Sequence, residues 1–243
     1  MNIIRRALRL LKKRGVAGTA DFIVTLSEEI FFDVRYGTDT FGNVKLNMLD
    51  ITSDNKAKGV DYEPTRIRPF KKMLRAVEFP QEPVFVDFGC GKGRALLAAC
   101  DHGFRRIVGV EFSAELCDIA KKNLALYTHK RRITADASIV HSDVVDYAIQ
   151  DDENVFYMFN PFNEEVLDQV VRNICESLNR NFREVRIIYH NPLSRHVIER
   201  RELFTVCWEH TFSGHHFLVY RNVLPGREDS DRSGGGLSLL RKS

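Results

Sequence analysis

The residues best placed to do chemistry lie in the run Val84-Phe85-Val86-Asp87-Phe88-Gly89-Cys90-Gly91-Lys92-Gly93-Arg94-Ala95-Leu96-Leu97. An apolar stretch rich in β-branched and aromatic side chains carries an acid near its end. Glycines follow at alternate positions, and then a helical pattern starts. The order describes a buried strand, a tight turn and a helix that opens at the turn. Glycines in such a turn take backbone conformations that other residues resist, and they let a ligand approach the main chain closely. A second apolar run, Ile107-Val108-Gly109-Val110, ends in Glu111. A carboxylate at that point can accept hydrogen bonds from both hydroxyls of a ribose. Turn and carboxylate together describe a nucleoside site.

The glycine spacing bears on which nucleoside. A dinucleotide fingerprint reads G-x-G-x-x-G/A with a helix N-terminus facing a pyrophosphate. Here the pattern is G-x-G-x-G, and Arg94 occupies the third position of the dinucleotide version; Ala95 could imitate a shifted match, so NAD or FAD stays open on spacing alone. Asp87-Phe88-Gly89-Cys90-Gly91-Lys92-Gly93 followed by Val110-Glu111 resembles motifs I and II of the class I S-adenosylmethionine (SAM) methyltransferases, over roughly Val84 to Val223. That resemblance implies SAM as cofactor, with Asp87, Gly89, Gly91 and Gly93 supporting its methionine portion and Glu111 its ribose. It also implies an acid near the adenine amino group, for which Asp143 after the third strand is the candidate. A helix-cap or turn role fits Asp143 equally by residue type.

Phe159-Asn160-Pro161-Phe162 resembles the Asn-Pro-Pro-aromatic motif of methyltransferases that modify planar amino groups, with one proline in place of two. In that motif an amide oxygen and a backbone carbonyl accept the amine's hydrogens and aim its lone pair, and the aromatic ring packs on the substrate. Asn160, Pro161 and Phe162 are therefore catalytic candidates, Asn160 also lying with the cofactor rim. The alternative is a strand-ending turn with a packed phenylalanine. His190, after the fifth strand, is a possible base for an acceptor that must lose a proton, or a rim histidine in a structural hydrogen bond. Upstream, Tyr62-Glu63-Pro64-Thr65 sits where class I enzymes place a lid, and a Tyr-and-Glu element precedes the glycine turn in the non-SET histone-lysine methyltransferases. Tyr62, Glu63 and Thr65 are thus candidates for closing the cofactor site. His215-His216 reads as strand surface, and no metal-ligand pattern is present.

These residues need a scaffold. From Val84 onward strands and helices alternate, which implies an α/β, Rossmann-like, doubly wound and mostly parallel sheet covered on both faces. Strands are expected at Val84–Phe88, Ile107–Glu111, Ser138–His141, Val155–Phe159 and Val185–Tyr189. A helix should run from a Ser113 cap through Leu126, another over Glu164–Leu178, and a short one near Ser194–Glu202. Leu203–His210 and His215–Tyr220, joined at Ser213-Gly214, predict a closing antiparallel hairpin. Residues 1–80 form an accessory segment with helices at Thr19–Phe32 and Ile67–Leu74, the latter capped by Thr65. Residues 81–224 form the SAM domain, and 225–243 are a polar, glycine-rich tail expected to be disordered.

The chain has 243 residues, 28% charged and 44% apolar, which suits one α/β domain with additions. A net charge of +3 does not argue for a nucleic-acid partner. Five widely spaced cysteines suggest reduced thiols and a cytoplasmic setting rather than disulfides or zinc. No stretch is long and apolar enough to span a bilayer. Residues 1–15 are basic and amphipathic, fitting either packing on protein or peripheral contact with an anionic membrane. The expected reaction is methyl transfer to a nitrogen on a protein side chain or a small molecule. Alternatives are an amine on an RNA or DNA base, and a SAM-binding module without turnover at a membrane surface or in an assembly.

Overall fold

The computed structural model describes residues 27–28, 30–42, 63–160 and 162–223. The basic segment 1–15, Tyr62, Pro161 and the tail from 225 lie outside the described residues. Seven strands form one sheet: β1 (Val84–Phe88), β2 (Arg106–Glu111), β3 (Ala137–His141), β4 (Val155–Phe159), β5 (Arg186–His190), β6 (Phe204–Phe212) and β7 (His215–Asn222). Their order is β3-β2-β1-β4-β5-β7-β6. The first five pair in parallel, and β7 enters antiparallel between β5 and β6. The expected hairpin is present, and its turn takes φ 49° at Ser213 and 80° at Gly214. Two positive φ values in a two-residue turn match the twist of the strands they join.

The strand side chains alternate between two apolar layers. Phe85, Tyr157, Ile188 and Phe217 face one layer, shared with α2 (Ile67–Ala76), α3 (Arg94–Cys100) and α4 (Ala114–Arg131). Val86, Phe88, Phe156, Met158, Ile187 and Leu218 face the other, under α5 (Glu164–Arg180) and α6 (His196–Glu199). Helix α1 (residues 30–36) and α2 contribute Phe32, Phe70, Met73 and Leu74 to the first layer. Both therefore pack into the same core as the sheet.

Several helix ends differ from expectation. Ser113 caps α4 as expected, accepting from Leu116 N at 3.3 Å. The helix nevertheless runs past Leu126 to Arg131 and stops where Arg132 turns left-handed at φ 54°. Its basic last turn is His129-Lys130-Arg131 rather than Lys121-Lys122, still complementing the helix dipole. Helix α1 continues four residues past Phe32. Thr65 does not cap α2: the cap position is Arg66, without a side-chain bond, and the Thr65 hydroxyl goes elsewhere.

Candidate cofactor and acceptor site

Strand order reverses between β1 and β4, and in open α/β sheets ligands bind beyond the carboxyl ends of the strands at such a point. The glycine turn lies there. Gly89, Gly91 and Gly93 have φ of 78°, 54° and 84°, a region costly for side chains bearing a Cβ. Gly89 N and Cys90 N donate to Val110 O, tying the turn to the end of β2. Glu111 completes the tie: one carboxylate oxygen accepts from Gly91 N and the other from Ser113 N, both at 2.9 Å. The predicted ribose acid is thus also the clasp between the glycine turn and the start of α4.

Asp87 is neighbour to Gly109 on β2 and Tyr157 on β4. It is 3% exposed, as is Glu111. Burial, with the Glu111 charge adding to it, pushes the Asp87 carboxyl well above its usual range. Burial also raises Glu111, against the backbone N–H groups of Ser113 and Gly91. Two desolvated acids at the turn fit a cationic nucleoside and oppose an anionic pyrophosphate. The basic side chain within the turn, Lys92, is committed to Asp39 at 2.9 Å. The Glu111 carboxylate is held by backbone N–H groups of Ser113, Gly91 and Phe112, and a carboxylate's two oxygens offer about four acceptor sites, so it keeps acceptor capacity for a hydroxyl donor. The residues present fit SAM: the turn backbone and Asp87 would hold its methionine portion, and Glu111 its ribose. Cys90 shares the acidic surroundings; burial, then the charges of Asp87 and Glu111, keep its thiol protonated and unreactive.

Asp143 follows β3 and its Oδ1 accepts from Val145 N at 3.1 Å, an Asx turn that fixes its backbone at the rim. Glu63 is exposed, and Thr65 is buried. Asn160 takes φ 40°, a left-handed conformation that asparagine tolerates better than most residues. Its Oδ1 accepts from Tyr189 Oη at 2.9 Å, and an amide oxygen carries a second lone pair that can accept from a substrate amine. Phe162 is half-buried against the second apolar layer, so packing accounts for part of its ring.

His190 departs most from expectation. It is 0% exposed, not a rim residue. Its ring is stacked between Phe159 at 3.8 Å and Phe217 at 4.2 Å, centroid to centroid. Burial, then the neighbouring His215 and His216, hold it well below the usual imidazole range, so it is neutral. Nδ1 pairs with Tyr157 Oη at 3.0 Å and Nε2 with His215 Nδ1 at 3.1 Å; Tyr157 Oη also meets Thr65 Oγ1 at 3.0 Å. A chain of four polar side chains, buried at Thr65, Tyr157 and His190 and half-buried at His215, therefore runs from just before α2 to the hairpin. His215 belongs to this chain and is not simple strand surface. Strand alternation puts Tyr157 and His190 on one face, but only the pairing of β4 with β5 and β5 with β7 brings the chain together. Residue type alone could not reveal it. Gly109 was likewise read only as a strand residue. A Cβ there would lie 2.6 Å from Leu96 Cδ1 and 2.7 Å from Cys90 Sγ, so the bare backbone lets the turn and α3 sit against β2.

Among the described residues, no group of three or more acidic, histidine or cysteine side chains could hold a metal ion, and no helix is long and apolar enough to cross a membrane. The described cysteines are free.

Comparison with known proteins agrees with this geometry. A family model described as a methyltransferase domain matches residues 85–181. A protein-lysine N-methyltransferase from Saccharolobus islandicus (strain REY15A) is 32% identical over 93 residues, covering 38% of this chain and 55% of the relative. The chain thus matches about half the length of that curated protein. A SAM-dependent methyltransferase from Aquifex aeolicus superimposes with a TM-score of 0.52 at 11% identity, over 67% of this chain and 94% of that one. A putative methyltransferase, yhhF, from Escherichia coli gives 0.51 at 16% identity, over 74% and 98%. At these identities the superpositions speak to the fold. The strand order, the glycine turn with its paired acids and the family match agree: residues 85–181 match a methyltransferase domain, and the sheet that carries them has the Rossmann-like fold of class I S-adenosylmethionine-dependent methyltransferases.

Proposed function

We propose that this chain transfers a methyl group from SAM to a nitrogen acceptor, on a protein side chain or a small molecule. The observation carrying the reading is the acidic, glycine-walled rim, with Asn160 on the neighbouring strand end. When bound, SAM supplies an electrophilic methyl group on a positively charged sulfur. Asp87 and Glu111 oppose that charge from a desolvated position, where electrostatics act strongly. The turn backbone fixes the methionine end. Asn160, held by Tyr189 through one oxygen lone pair, retains acceptor capacity to orient an amine, and positioning of this kind lowers barriers without a dedicated base. His190 has both ring nitrogens engaged and is shielded by two phenylalanines, which supports a structural part for it rather than that of a base. The similarity to a protein-lysine N-methyltransferase supports a protein amine as acceptor.

A nucleic-acid amine is the second reading, favoured by a cavity of about 630 Å³ between α1 and α2. Arg35, Arg68, Lys71, Lys72 and Arg75 line it beside Glu28. Incubating the protein with isotopically labelled SAM and separate protein, nucleic-acid and small-molecule fractions distinguishes the acceptors by mass spectrometry. Label in the protein or small-molecule fraction is expected. Label confined to nucleic acid would overturn the first reading. Asn160→Ala should lower turnover by about 10- to 100-fold with little change in SAM affinity. A loss of affinity with normal turnover of the bound complex would remove Asn160 from the acceptor side.

A further inference from the structure

The glycine turn is held from two sides. Glu111 holds the Gly91 N–H, as described above. On the other side Lys92, between Gly91 and Gly93, is held by residues not assigned any part so far. Asn123 of α4 donates from Nδ2 to Lys92 O at 3.0 Å. The same amide makes a two-way bond with the backbone of Asp39: Asp39 N donates to Asn123 Oδ1 at 2.8 Å, and Nδ2 donates to Asp39 O at 2.9 Å. Lys92 Nζ closes the ring on the Asp39 carboxylate at 2.9 Å. The segment around Asp39 is itself well organised. The Asp33 carboxylate accepts from Thr38 Oγ1, Thr40 N, Thr40 Oγ1 and Phe41 N, at 2.6 to 2.9 Å. Thr40 is fully buried, although it follows an exposed residue in a segment without regular structure.

We propose that Asn123 is a positioning residue for the cofactor's glycine turn, and that the 33–41 loop is bound to the turn through it, so that SAM binding and the order of this loop are coupled. The inference rests on the proposed SAM site and adds the element that holds it. Three glycines within five residues give the turn unusual freedom, and fixing it before binding removes part of the entropy cost of binding. The packing of α3 on α4 has a contact of its own apart from this ring. Helix α3 already meets α4 through the close approach of Gly93 to Ala120, where a built Cβ would be 3.2 Å away. The Lys92–Asp39 ion pair contributes little, because the Asp39 side chain is 67% exposed. The Asn123 carboxamide is 1% exposed and satisfies both backbone segments, so it carries the coupling.

Coupling between sites is reciprocal: if the loop helps the turn bind SAM, SAM must stabilise the loop by the same factor. The test compares wild type, Asn123→Ala and the isosteric Asn123→Asp, which can still accept from Asp39 N but cannot donate to either carbonyl. Calorimetry with SAM should show Kd raised about tenfold in both variants, with kcat at saturating SAM changed by less than about twofold. Hydrogen exchange should show the amides of Asp39, Thr40 and Phe41 gaining protection on adding SAM in wild type, and losing that gain in Asn123→Asp. Folded variants with wild-type Kd and an unchanged protection gain would overturn the inference. If Asn123→Ala does not fold, Asn123→Asp and the wild-type exchange experiment decide it. Wild-type protein that binds no SAM would instead refute the proposed site itself, a separate outcome.

Discussion

Asp87 and Glu111 lie where two negative charges disfavour each other, and the cost shows in Asp87, whose carboxyl is raised by burial and by the Glu111 charge. The sign follows from linkage. A folded-state pKa above the unfolded value means the native state holds the proton more tightly, so this contribution to stability is present below pH ~3.8 and fades as pH rises through the folded pKa. Asp87→Asn should therefore stabilise the ligand-free protein at pH 7 and weaken SAM binding, a trade of function against stability. Chemical denaturation at pH 7 and at pH 4 checks it, the stabilisation being larger at pH 7. At Gly109 the constraint is steric. Gly109→Ala should cost about 1–3 kcal/mol by overpacking Leu96 and Cys90, read from the shift in urea midpoint. The acids and the turn glycines were legible in the sequence because type and spacing alone define them. Gly109 and Tyr157 were not, since their importance depends on which strands lie beside them.

The helices and strands followed from periodicity where apolar pattern and capping chemistry agreed. β4 was expected at Val155–Phe159 and is found there, and α4 begins at its Ser113 cap. Ser113→Ala should cost about 1 kcal/mol by leaving the Leu116 N–H without its cap, measurable by denaturation. The ends that went astray lacked such a signal. Helix α4 stops at a left-handed arginine rather than at glycine, and Thr65 was free by type to cap but bonds Tyr157 instead. The chain Thr65–Tyr157–His190–His215 links α2, β4, β5 and the hairpin, and it is built on a neutral histidine. His190 sits below its usual pKa, so the unfolded state binds more protons between the folded value and pH ~6.5. Stability should be full above that pH and fall below it, by up to about 1.4 kcal/mol per pH unit for this group. His190→Phe should flatten this segment of the pH–stability profile, and an unchanged slope would place the sensitivity elsewhere.

At the scale of the whole molecule, the described residues before β1 share the core of the sheet. Phe32 of α1 stacks with Tyr127 of α4 at 5.6 Å, and Phe70 of α2 meets Phe85 and Tyr157 of the sheet. Local pattern could place helices in this segment but could not say what they pack against, because those contacts span long sequence separations. The mostly parallel sheet and its closing hairpin, by contrast, followed from alternation and from the family resemblance together, while the strand order is a finding of the structure. The most direct test of the central claim is calorimetric titration of the full chain with SAM, S-adenosylhomocysteine and NAD, repeated with Glu111→Ala. SAM and S-adenosylhomocysteine should bind at one site, NAD should not, and Glu111→Ala should weaken SAM by about 10- to 100-fold. Binding of NAD in place of SAM, or SAM affinity untouched by Glu111→Ala in a folded protein, would contradict the assignment.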